Sequence, residues 1–445
     1  MKQLRMPAYI TRALSLIERS GKRAWPVGGC VRDALMGRSP GDYDITTDAL
    51  PEETKRIFDG FTVIETGIKH GTVTVMIDSH PVEITTLRRD GEYVDSRHPA
   101  TVSFTDSLTE DLARRDFTVN AMAYSESEGI FDPFGGQSDI ENRIIRCVGD
   151  PERRFSEDAL RILRMLRFSS VLGFTPEPKT AEAARRLAPS LSLISGERVR
   201  DELVKILCGM DALRILCDFP DIISVIIPEI KPCIGFDQKS PHHVHDVYGH
   251  CIHAVVSSPP TPEVRVAALL HDIKKPACFF IGADGNGHYR GHAQRSAKAA
   301  KNILGRLRFD GKSTSRIVRM IELHDSYPKP NRAAVRRDIA ACGVELWYQL
   351  ESLRKADSAA KVPGAYGDEN KYFRKVRELA DAIIRDGDCI SLSALAVDGN
   401  DILSLTDDGK TVGNILDFLL EAVIAGALQN ERAELMAKAK ELLTN

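Results

Sequence analysis

The sequence contains no long apolar run and no closely spaced pair of cysteines. No segment approaches the ~18 apolar residues that a membrane-spanning helix needs. The nine cysteines are scattered without a Cys-x-x-Cys pair, which argues against a disulfide framework and against a cysteine-bound structural zinc. Charged residues interrupt the apolar ones near the basic N-terminus, so a signal-peptide core is also missing. We expect a cytoplasmic protein that has no membrane partner.

The chain also lacks a marked excess of either charge. Its 445 residues include 60 Lys and Arg against 63 Asp and Glu, a net charge of −3, which excludes a uniformly basic nucleic-acid coat. The balance is nevertheless uneven, because residues 290–338 carry 13 Lys and Arg against 4 Asp and Glu, and residues 151–200 carry 10 against 6. These two stretches are candidates for contacts with nucleic-acid phosphates.

The hydrophobic pattern changes near residue 150. Before it, a helical pattern at Ala8 to Glu18 is followed by β-branched runs at 62–64, 73–77 and 82–86, typical of a mixed α/β region. The turn residues 78–81 between the last two runs predict a hairpin. After it, the pattern is helical almost to the end of the chain. The length predicts about three domains, and we expect an α+β protein with an α/β head followed by all-α regions.

The most informative segment joins two glycines, Gly28 and Gly29, to two acidic residues, Asp42 and Asp44. Residues i and i+2 of a strand face the same side, so the sequence predicts two neighbouring carboxylates. Such carboxylates repel each other unless a cation lies between them, and Mg²⁺ prefers oxygen ligands and substrate phosphates. The glycines let a phosphate approach the backbone, and Arg32 follows one turn into the next helix. The pattern predicts a magnesium site that binds a triphosphate.

Glu83 is a single acidic residue within the apolar strand pattern of residues 82–86. A third carboxylate beside Asp42 and Asp44 would complete a two-metal site, in which one ion activates an attacking hydroxyl and the other stabilises the leaving pyrophosphate. The alternative interpretation is that Asp42 begins a turn and that Glu83 pairs with an arginine. The upstream pair of glycines favours the catalytic interpretation.

A second polar set occupies the start of the helical region. Four residues at a spacing of three share one face of a predicted helix, opposite a stripe of leucines: Asp158, Arg161, Arg164 and Arg167. An Asp and an Arg can satisfy the edge of a nucleobase by hydrogen bonds, and further arginines can bind phosphates. The alternative is an exposed helix held by salt bridges.

In this order, and together with the segment from Arg114 to Met122, these motifs resemble the class II tRNA nucleotidyltransferases, or CCA-adding enzymes, and the related bacterial poly(A) polymerases. The resemblance is strongest over residues 1–240. It implies that Asp42 and Asp44 hold Mg²⁺ beside Glu83, and that Asp158 and Arg161 read the base of CTP or ATP. It further implies that the nucleotide is bound by Gly28, Gly29, Arg32, Arg115, Asn120, Arg164 and Arg167. In this family amino acids, not a nucleic-acid strand, select the nucleotide.

The stretch from Leu87 to Pro99 resembles the flexible loop of the same family. That loop helps to switch the nucleotide site from CTP to ATP, and enzymes that add only CC tend to lack it. Its presence favours addition of full CCA or of A alone.

A second constellation contains His250, His271, Asp272 and Asp357. Imidazole nitrogens together with carboxylate oxygens suit a divalent metal, and the order of these residues resembles the HD phosphohydrolase superfamily. His292 and His324 could extend the set, and three further histidines precede it at positions 242, 243 and 245. The resemblance implies phosphatase or phosphodiesterase activity, for example on a 2′,3′-cyclic phosphate of damaged tRNA. The alternatives are buried structural histidines and a silent scaffold.

The combined resemblance implies four parts. These are a nucleotidyltransferase head (1–145), a helical neck that binds nucleotide and RNA (146–240), an HD domain (241–362), and a helical body and tail for tRNA binding (363–445). We expect an enzyme that adds and repairs the 3′-terminal CCA of tRNA from CTP and ATP without a nucleic-acid template. The tRNA 3′-hydroxyl would attack the nucleotide α-phosphate with metal assistance.

Two other functions remain open at this stage. One is an A-adding enzyme or poly(A) polymerase of the same fold, although residues 401–445 carry 4 Lys and Arg against 8 Asp and Glu and so lack the basic extension usual in such polymerases. The other is a metal-dependent HD phosphohydrolase whose head only binds RNA, which the intact pair of Asp42 and Asp44 disfavours. The sequence does not indicate the oligomeric state.

Overall fold

The computed structural model describes residues 4–91, 102–362 and 368–444. The chain divides into two compact units, Met1–Ile226 and Ile227–Asn445. The first combines a sheet with helices and the second is almost entirely helical, so the predicted α+β class with an α/β head is confirmed. The division into four parts is finer than these two units and stays a prediction. Within the described residues, no helix is both long enough and apolar enough to cross a bilayer.

Eleven short strands belong to the described part of the first unit. They are β1 (Ala24–Val27), β2 (Asp44–Thr47), β3 (Thr62–Ile64), β4 (Thr72–Ile77), β5 (His80–Thr86), β6 (Arg88–Asp90), β7 (Val102–Phe104), β8 (Ala123–Ser125), β9 (Gly129–Phe131), β10 (Ile144–Ile145) and β11 (Thr175–Pro176). Seven form one sheet in the order β3-β4-β5-β2-β1-β8-β9. Within it β2 and β5 run parallel, and the other neighbouring strands run antiparallel.

The residues of the first unit that the structure describes also form eleven α-helices. They are α1 (Ala8–Arg19), α2 (Gly29–Leu35), α3 (Pro51–Ile57), α4 (Leu108–Ala113), α5 (Gly136–Glu141), α6 (Pro151–Glu157), α7 (Leu160–Leu172), α8 (Pro178–Leu187), α9 (Gly196–Leu207), α10 (Ala212–Asp218) and α11 (Pro220–Ile226). The predicted first helix is confirmed to within one residue.

The core of the head sets the direction of its acidic residues. Ile10 and Ile17 of α1 pack against buried residues of β2, β4 and β5, including Ile45 and Ile84. Successive strand residues point to opposite faces, so the neighbours of these core residues face away from α1. The parallel register of β2 and β5 pairs Asp44 with Glu83 on that other face.

The hairpin between β4 and β5 is tighter than predicted. Strand pairing continues through Ile77 and His80, which leaves Asp78 and Ser79 as the turn. Both turn residues have positive φ, 48° and 65°, as the favoured two-residue hairpin turns require. The four-residue turn expected from the sequence was therefore too long by two residues, because His80 and Pro81 belong to β5.

The second unit contains the remaining elements. They are α12 (Val247–Ser257), α13 (Pro262–Leu270), α14 (Lys275–Cys278), the hairpin β12 (Phe280–Ile281) and β13 (Gly287–His288), α15 (His292–Arg306), α16 (Gly311–Leu323), α17 (Arg332–Ala340), α18 (Val344–Ala359), α19 (Glu369–Arg385), α20 (Gly399–Leu403), α21 (Gly409–Ala425) and α22 (Arg432–Thr444).

A buried ion pair ties three of these helices together. The guanidinium of Arg354 on α18 donates two hydrogen bonds to Asp338 of α17, at 2.6 and 2.9 Å, and a third to the carbonyl of Leu323 at the end of α16. The indole N–H of Trp347 donates to the same carboxylate at 2.8 Å. Arg354 is only 2% exposed, so its charge depends on Asp338. This pair fixes the end of α16 against α18.

We expect Asp338→Ala to destabilise the second unit by about 3–5 kcal/mol, because it leaves the buried charge of Arg354 without a counterion. The two tryptophans of the chain, Trp25 and Trp347, lie in different units. Urea unfolding followed by tryptophan fluorescence therefore separates a loss in the second unit from one in the first.

The matched control is Asp386→Ala. Asp386 accepts from Arg332 at 2.8 Å, but the two side chains are 42% and 39% exposed, and solvent-accessible pairs contribute little to stability. An equal loss of stability in the two variants would contradict the assigned role of the Arg354 and Asp338 pair.

Candidate functional site

A cavity of about 550 Å³ lies in the first unit, within the usual range for small-molecule sites. Eleven of the twelve residues predicted for the nucleotidyltransferase site line it: Gly28, Gly29, Arg32, Asp42, Asp44, Arg115, Asn120, Asp158, Arg161, Arg164 and Arg167. The twelfth, Glu83, is not among the lining residues. We refer to this space as the arginine cavity.

The two aspartates reach the arginine cavity from different local structures. Asp44 is the first residue of β2, whereas Asp42 precedes the strand, so the expected placement of both on one strand was wrong. Partial removal from water raises the pKa of the Asp44 carboxyl, and Asp42 adds to the rise, while Arg115 opposes it. The pKa of Glu83 is raised by the same removal from water and by both aspartates. The three carboxyls therefore interact, although Glu83 does not line the cavity.

Gly28 has a steric reason to be glycine. Its φ is +77°, and a Cβ atom there would lie 2.8 Å from Nη1 of Arg115. Gly29, the first residue of α2, would tolerate a Cβ at an ordinary contact distance from Arg32. Of the two predicted glycines, the first is therefore the one that the backbone and the arginine require.

An aromatic ring organises three arginines of the cavity. The guanidinium carbons of Arg32, Arg164 and Arg167 lie 5.1, 5.3 and 3.9 Å from the ring centre of Phe168. Such cation–π contacts stabilise a cation that has lost part of its hydration. Sequence reasoning missed Phe168, because the feature that reveals it is the convergence of arginines from α2 and α7.

Asp116 connects these arginines. Its carboxylate accepts from Arg164 at 2.8 Å, from the side-chain amide of Asn120 at 3.0 Å and from the backbone N–H of Phe117 at 2.8 Å. The amide oxygen of Asn120 in turn accepts from Arg32 at 2.6 Å. Burial acts to raise the pKa of Asp116, but Arg164 and Asn120 hold it well below its ordinary value. Asn120 thus positions Arg32, and Asp116 positions Arg164.

The predicted base-reading pair is held rigidly. Asp158 lies between α6 and α7, where one oxygen accepts from the backbone N–H of Leu160 at 3.0 Å and the other from Arg198 at 2.9 Å. The expectation that Asp158 shares a helix face with the three arginines was therefore wrong. Arg161 donates to Glu157 at 2.8 Å and to two backbone carbonyls at 3.0 Å. Arg198 is a cavity residue that sequence reasoning missed.

Helix α7, which carries Arg161, Arg164 and Arg167, is not an exposed helix held by salt bridges. Arg161 is 7% exposed, and the side chain of Arg167 pairs with the buried Glu202 at 2.6 Å. Among the described residues that line the cavity, three buried guanidinium nitrogens have no hydrogen-bond partner of good geometry: Nε of Arg115, Nε of Arg167 and Nη1 of Arg198. Unpaired buried donors are costly, so this cavity is suited to an anionic ligand.

A second cavity, of about 400 Å³, lies in the second unit. Four buried side chains that could ligate a metal line it, Asp272, His292, His324 and Asp357. Two more, His250 and His271, are buried and form a possible ligand group with Asp272 and Asp357. These six residues come from α12, α15, α18 and the C-terminal ends of α13 and α16. The predicted quartet is brought together, and so are the two histidines proposed to extend it. We refer to this space as the histidine cavity.

The four imidazoles share one orientation. Each places Nδ1 near a backbone carbonyl, of Ala360 for His250, Ala268 for His271, Tyr289 for His292 and Ile321 for His324, at 3.4, 2.7, 2.8 and 2.7 Å. Each then directs Nε2 towards a carboxylate. A carbonyl that accepts from Nδ1 fixes the tautomer and leaves Nε2 available to a metal.

Asp272 divides the ligand set into two groups. Its Oδ2 lies 3.3 and 3.2 Å from Nε2 of His250 and His271, and its Oδ1 lies 3.1 and 3.6 Å from Nε2 of His292 and His324. Neither oxygen has a hydrogen bond of good geometry among the described residues. Burial acts to raise the pKa of Asp272, but His271 and Lys275 hold it well below its ordinary value.

Two lysines also enter the histidine cavity. Lys275 Nζ lies 2.6 Å from Asp272, and Lys361 Nζ lies 2.7 Å from Asp357. Sequence reasoning missed both, although each follows an acidic ligand at helical spacing. Of the three upstream histidines, His242 and His243 line the cavity, and His245 instead stacks on His253 at 4.0 Å.

The stretch that resembles the flexible loop is only partly described. β6 pairs with β7, and residues 92–101 lie outside the described residues. The loop therefore stays a prediction from the sequence.

Two family models match parts of the chain. The family described as "Poly A polymerase head domain" matches residues 24–146, and the family described as "Probable RNA and SrmB- binding site of polymerase A" matches residues 173–233. The first match contains both predicted metal-binding aspartates. The second covers α8 to α11 and thus lies in the predicted neck.

Similarity to individual proteins extends over nearly the whole chain. A CCA-adding enzyme of Geobacillus stearothermophilus is 33% identical over 423 residues, 95% of this chain and 93% of that protein. One from Streptococcus suis is 50% identical over 210 residues, 46% of this chain and 52% of that protein. The crystal structure of the Bacillus stearothermophilus CCA-adding enzyme in complex with CTP superimposes with a TM-score of 0.73 at 29% identity, covering 99% and 98% of the two chains.

Proposed function

This chain belongs to the CCA-adding enzyme family, and we propose that it adds and repairs the 3′-terminal CCA of tRNA, from CTP and ATP, without a nucleic-acid template. The observation that carries this proposal is the arginine cavity, in which Asp42 and Asp44 face a wall of arginines. Such a site offers a cation to the reacting phosphate and positive charge to the triphosphate. All nine cysteines are free thiols, which is consistent with action in the cytoplasm.

The reaction is a nucleotidyl transfer. The O3′ oxygen of the tRNA forms a bond to the α-phosphorus, the bond from that phosphorus to the bridging oxygen breaks, and pyrophosphate leaves. We assign Asp42 and Asp44 to a divalent cation, taken to be Mg²⁺ because the donors are carboxylate oxygens. When bound, such a cation lowers the pKa of the attacking hydroxyl and stabilises charge on the phosphates. Glu83, which pairs with Asp44 in the register of β2 and β5, is assigned to raise the affinity of Asp44 for a cation.

The arginines position the nucleotide. Arg32 and Arg164 are held by Asn120 and Asp116, so their guanidinium groups are ordered before a triphosphate binds. Preorganised charge of this kind stabilises the transition state without reorganisation during the reaction. The unpaired Nε of Arg115 supplies a further donor to a phosphate oxygen.

Base selection is assigned to Asp158 and Arg161. A carboxylate accepts hydrogen bonds and a guanidinium donates them, so the pair can complement the Watson–Crick edge of cytosine or adenine. Arg198 holds Asp158, and Glu157 holds Arg161. The two groups that contact the base therefore stay in fixed positions, as selection by amino acids requires. The tRNA itself is assigned to the neck and to the basic surface of α15, where Arg295, Lys298 and Lys301 are exposed.

The deciding experiment uses a tRNA that lacks its 3′ CCA, incubated with CTP, ATP or both. We expect two C residues with CTP alone and complete CCA with both nucleotides. Addition of A alone, or of a long A tract, would instead select the alternatives of the same fold, and the absence of any product would contradict nucleotidyl transfer altogether.

We expect Asp44→Asn to reduce nucleotide incorporation by about a thousandfold, because a neutral amide is a poor ligand for a divalent cation. Binding of tRNA, measured by gel shift, should stay unchanged. Asp48→Asn is the matched control, since Asp48 follows the same strand but pairs with Arg23 at 2.8 Å away from the cavity. Robust incorporation by Asp44→Asn would remove the metal assignment.

We expect Asp158→Asn to reduce the preference for the correct nucleotide by about ten- to a hundredfold, because it exchanges an acceptor of the base-reading pair for a donor. The measurement is kcat/KM for CTP and for ATP on a tRNA that ends in the discriminator base. Asp201→Asn, at an exposed position of α9, is the control. Unchanged nucleotide preference in the Asp158 variant would argue against selection by this residue.

We propose a second function, metal-dependent phosphate ester hydrolysis, for the histidine cavity. The convergence of four Nε2 atoms on two buried carboxylates favours it, since neutral imidazoles with carboxylates are suitable ligands for divalent transition metals. His250, His271, Asp272 and Asp357 would hold one cation, and Asp272 with His292 and His324 would hold a second. When bound, such cations activate water and a phosphoryl group. Lys275 and Lys361 would bind the phosphate.

We expect release of phosphate or nitrophenol from model phosphomonoesters and diesters with Mn²⁺, Co²⁺ or Ni²⁺, and a loss of about a hundredfold or more in Asp272→Asn. Metal content after dialysis is the second measurement and should fall in the same variant. The control is Asp237→Asn, an exposed residue paired with Lys239. No release with any divalent metal would contradict this function.

A further inference from the structure

A third cavity, of about 360 Å³, opens beside the histidine cavity. The two cavities share Asp325 and Lys361 as lining residues. The walls of the third cavity are largely aromatic, formed by Tyr327, Tyr372 and Phe373. A polar site for metals and phosphate thus borders directly on an apolar site lined by flat rings.

The three rings form one connected cluster. Ring centres lie 6.1 Å apart for Tyr327 and Tyr372, 6.2 Å for Tyr327 and Phe373, and 5.1 Å for Tyr372 and Phe373. Tyr327 is 38% exposed, so part of its ring area is open to a ligand. Aromatic side chains of this kind form stacking surfaces for nucleobases.

Tyr327 links this cluster to the histidine cavity. Its hydroxyl donates to Oδ2 of Asp357 at 3.0 Å, and the same oxygen receives the ammonium of Lys361 at 2.7 Å. A ligand stacked in the aromatic cluster would therefore extend its next group towards Lys361 and the metal ligands. Asp357 thus contacts a residue of each subsite.

Glu369 supplies a polar group to the aromatic cavity. Its Oε2 accepts from the hydroxyl of Ser358, whereas its Oε1 is buried and has no hydrogen-bond partner among the described residues. A buried carboxylate oxygen without a donor is costly. The cavity therefore favours a ligand that brings an N–H group to this edge.

We propose that the third cavity binds a nucleobase carrying an exocyclic amino group, and that the substrate of the histidine cavity is a nucleoside phosphate. The base would stack on the aromatic cluster and donate its amino group to Glu369, and the phosphate would lie between Lys275 and Lys361. This inference rests on the proposed phosphohydrolase function. An aryl or sugar phosphate would fill one subsite only and leave Glu369 unpaired.

The test uses the Tyr372→Trp variant of the full chain, whose added indole reports stacking in this cavity, with the wild-type signal subtracted. The probes are two pairs of nucleoside monophosphates, AMP with IMP and CMP with UMP. In each pair the first base carries an exocyclic amino group where the second carries a keto oxygen. Ribose 5-phosphate, which has no base, is the fifth probe. We expect AMP and CMP to quench the reporter and to bind about tenfold or more tightly than their keto partners. Ribose 5-phosphate should give no quench.

A second substitution in the same reporter tests the polar contact. Glu369→Gln offers an amide that can donate as well as accept, so the preference for amino over keto should vanish or reverse. Glu378→Gln, at an exposed position of the same helix, should leave the preference unchanged. Equal binding of amino and keto partners by the Tyr372→Trp variant, or no quench by any nucleotide, would overturn the inference.

Release of phosphate from the same nucleotides tests the proposed phosphohydrolase function independently of the base site. Selective quenching without release would support the base site and count against the phosphohydrolase. Release without base selectivity would support the phosphohydrolase and overturn the base site.

Discussion

A carboxylate or guanidinium removed from water must be met by opposite charge or by hydrogen bonds, and both units of this protein are arranged around that requirement. In the first unit, the carboxylate of Asp116 accepts hydrogen bonds from Arg164, Asn120 and a backbone N–H. In the second, the carboxylate of Asp338 accepts hydrogen bonds from Arg354 and Trp347. These pairs fix the helices that carry the candidate site residues. The geometry of each cavity therefore depends on a buried carboxylate that holds a guanidinium in place.

Local patterns in the sequence were sufficient where the site depends on neighbours in the chain. The two aspartates near β2, the glycine before α2 and the arginines of α7 could all be selected from spacing alone, and they line one cavity. The helical remainder also followed from apolar periodicity. What spacing could not predict was the local structure of Asp158. It lies between α6 and α7, where its side chain accepts from the N–H of Leu160, so it does not continue the helix face of the arginines.

The residues that sequence reasoning missed depend on contacts between distant segments. Phe168 matters because Arg32, far upstream, reaches the same ring as Arg167. Arg198 matters because α9 brings it to Asp158. Similarly, Lys275 and Lys361 become phosphate-binding candidates only once two helices place them in one cavity. Composition carries no record of such convergence, so only the folded structure reveals it.

The two main cavities differ in whether their buried atoms without hydrogen-bond partners are donors or acceptors. In the arginine cavity, the buried atoms without partners include donors, Nε of Arg115 and Nη1 of Arg198, whereas in the histidine cavity they are the acceptors of Asp272. An unpaired donor is relieved by an anion, and an unpaired carboxylate by a cation or an N–H group. The first cavity is thus suited to a triphosphate and the second to a metal. In the third cavity, the unpaired Oε1 of Glu369 favours a ligand that carries a donor. The aromatic walls around it favour a flat ligand.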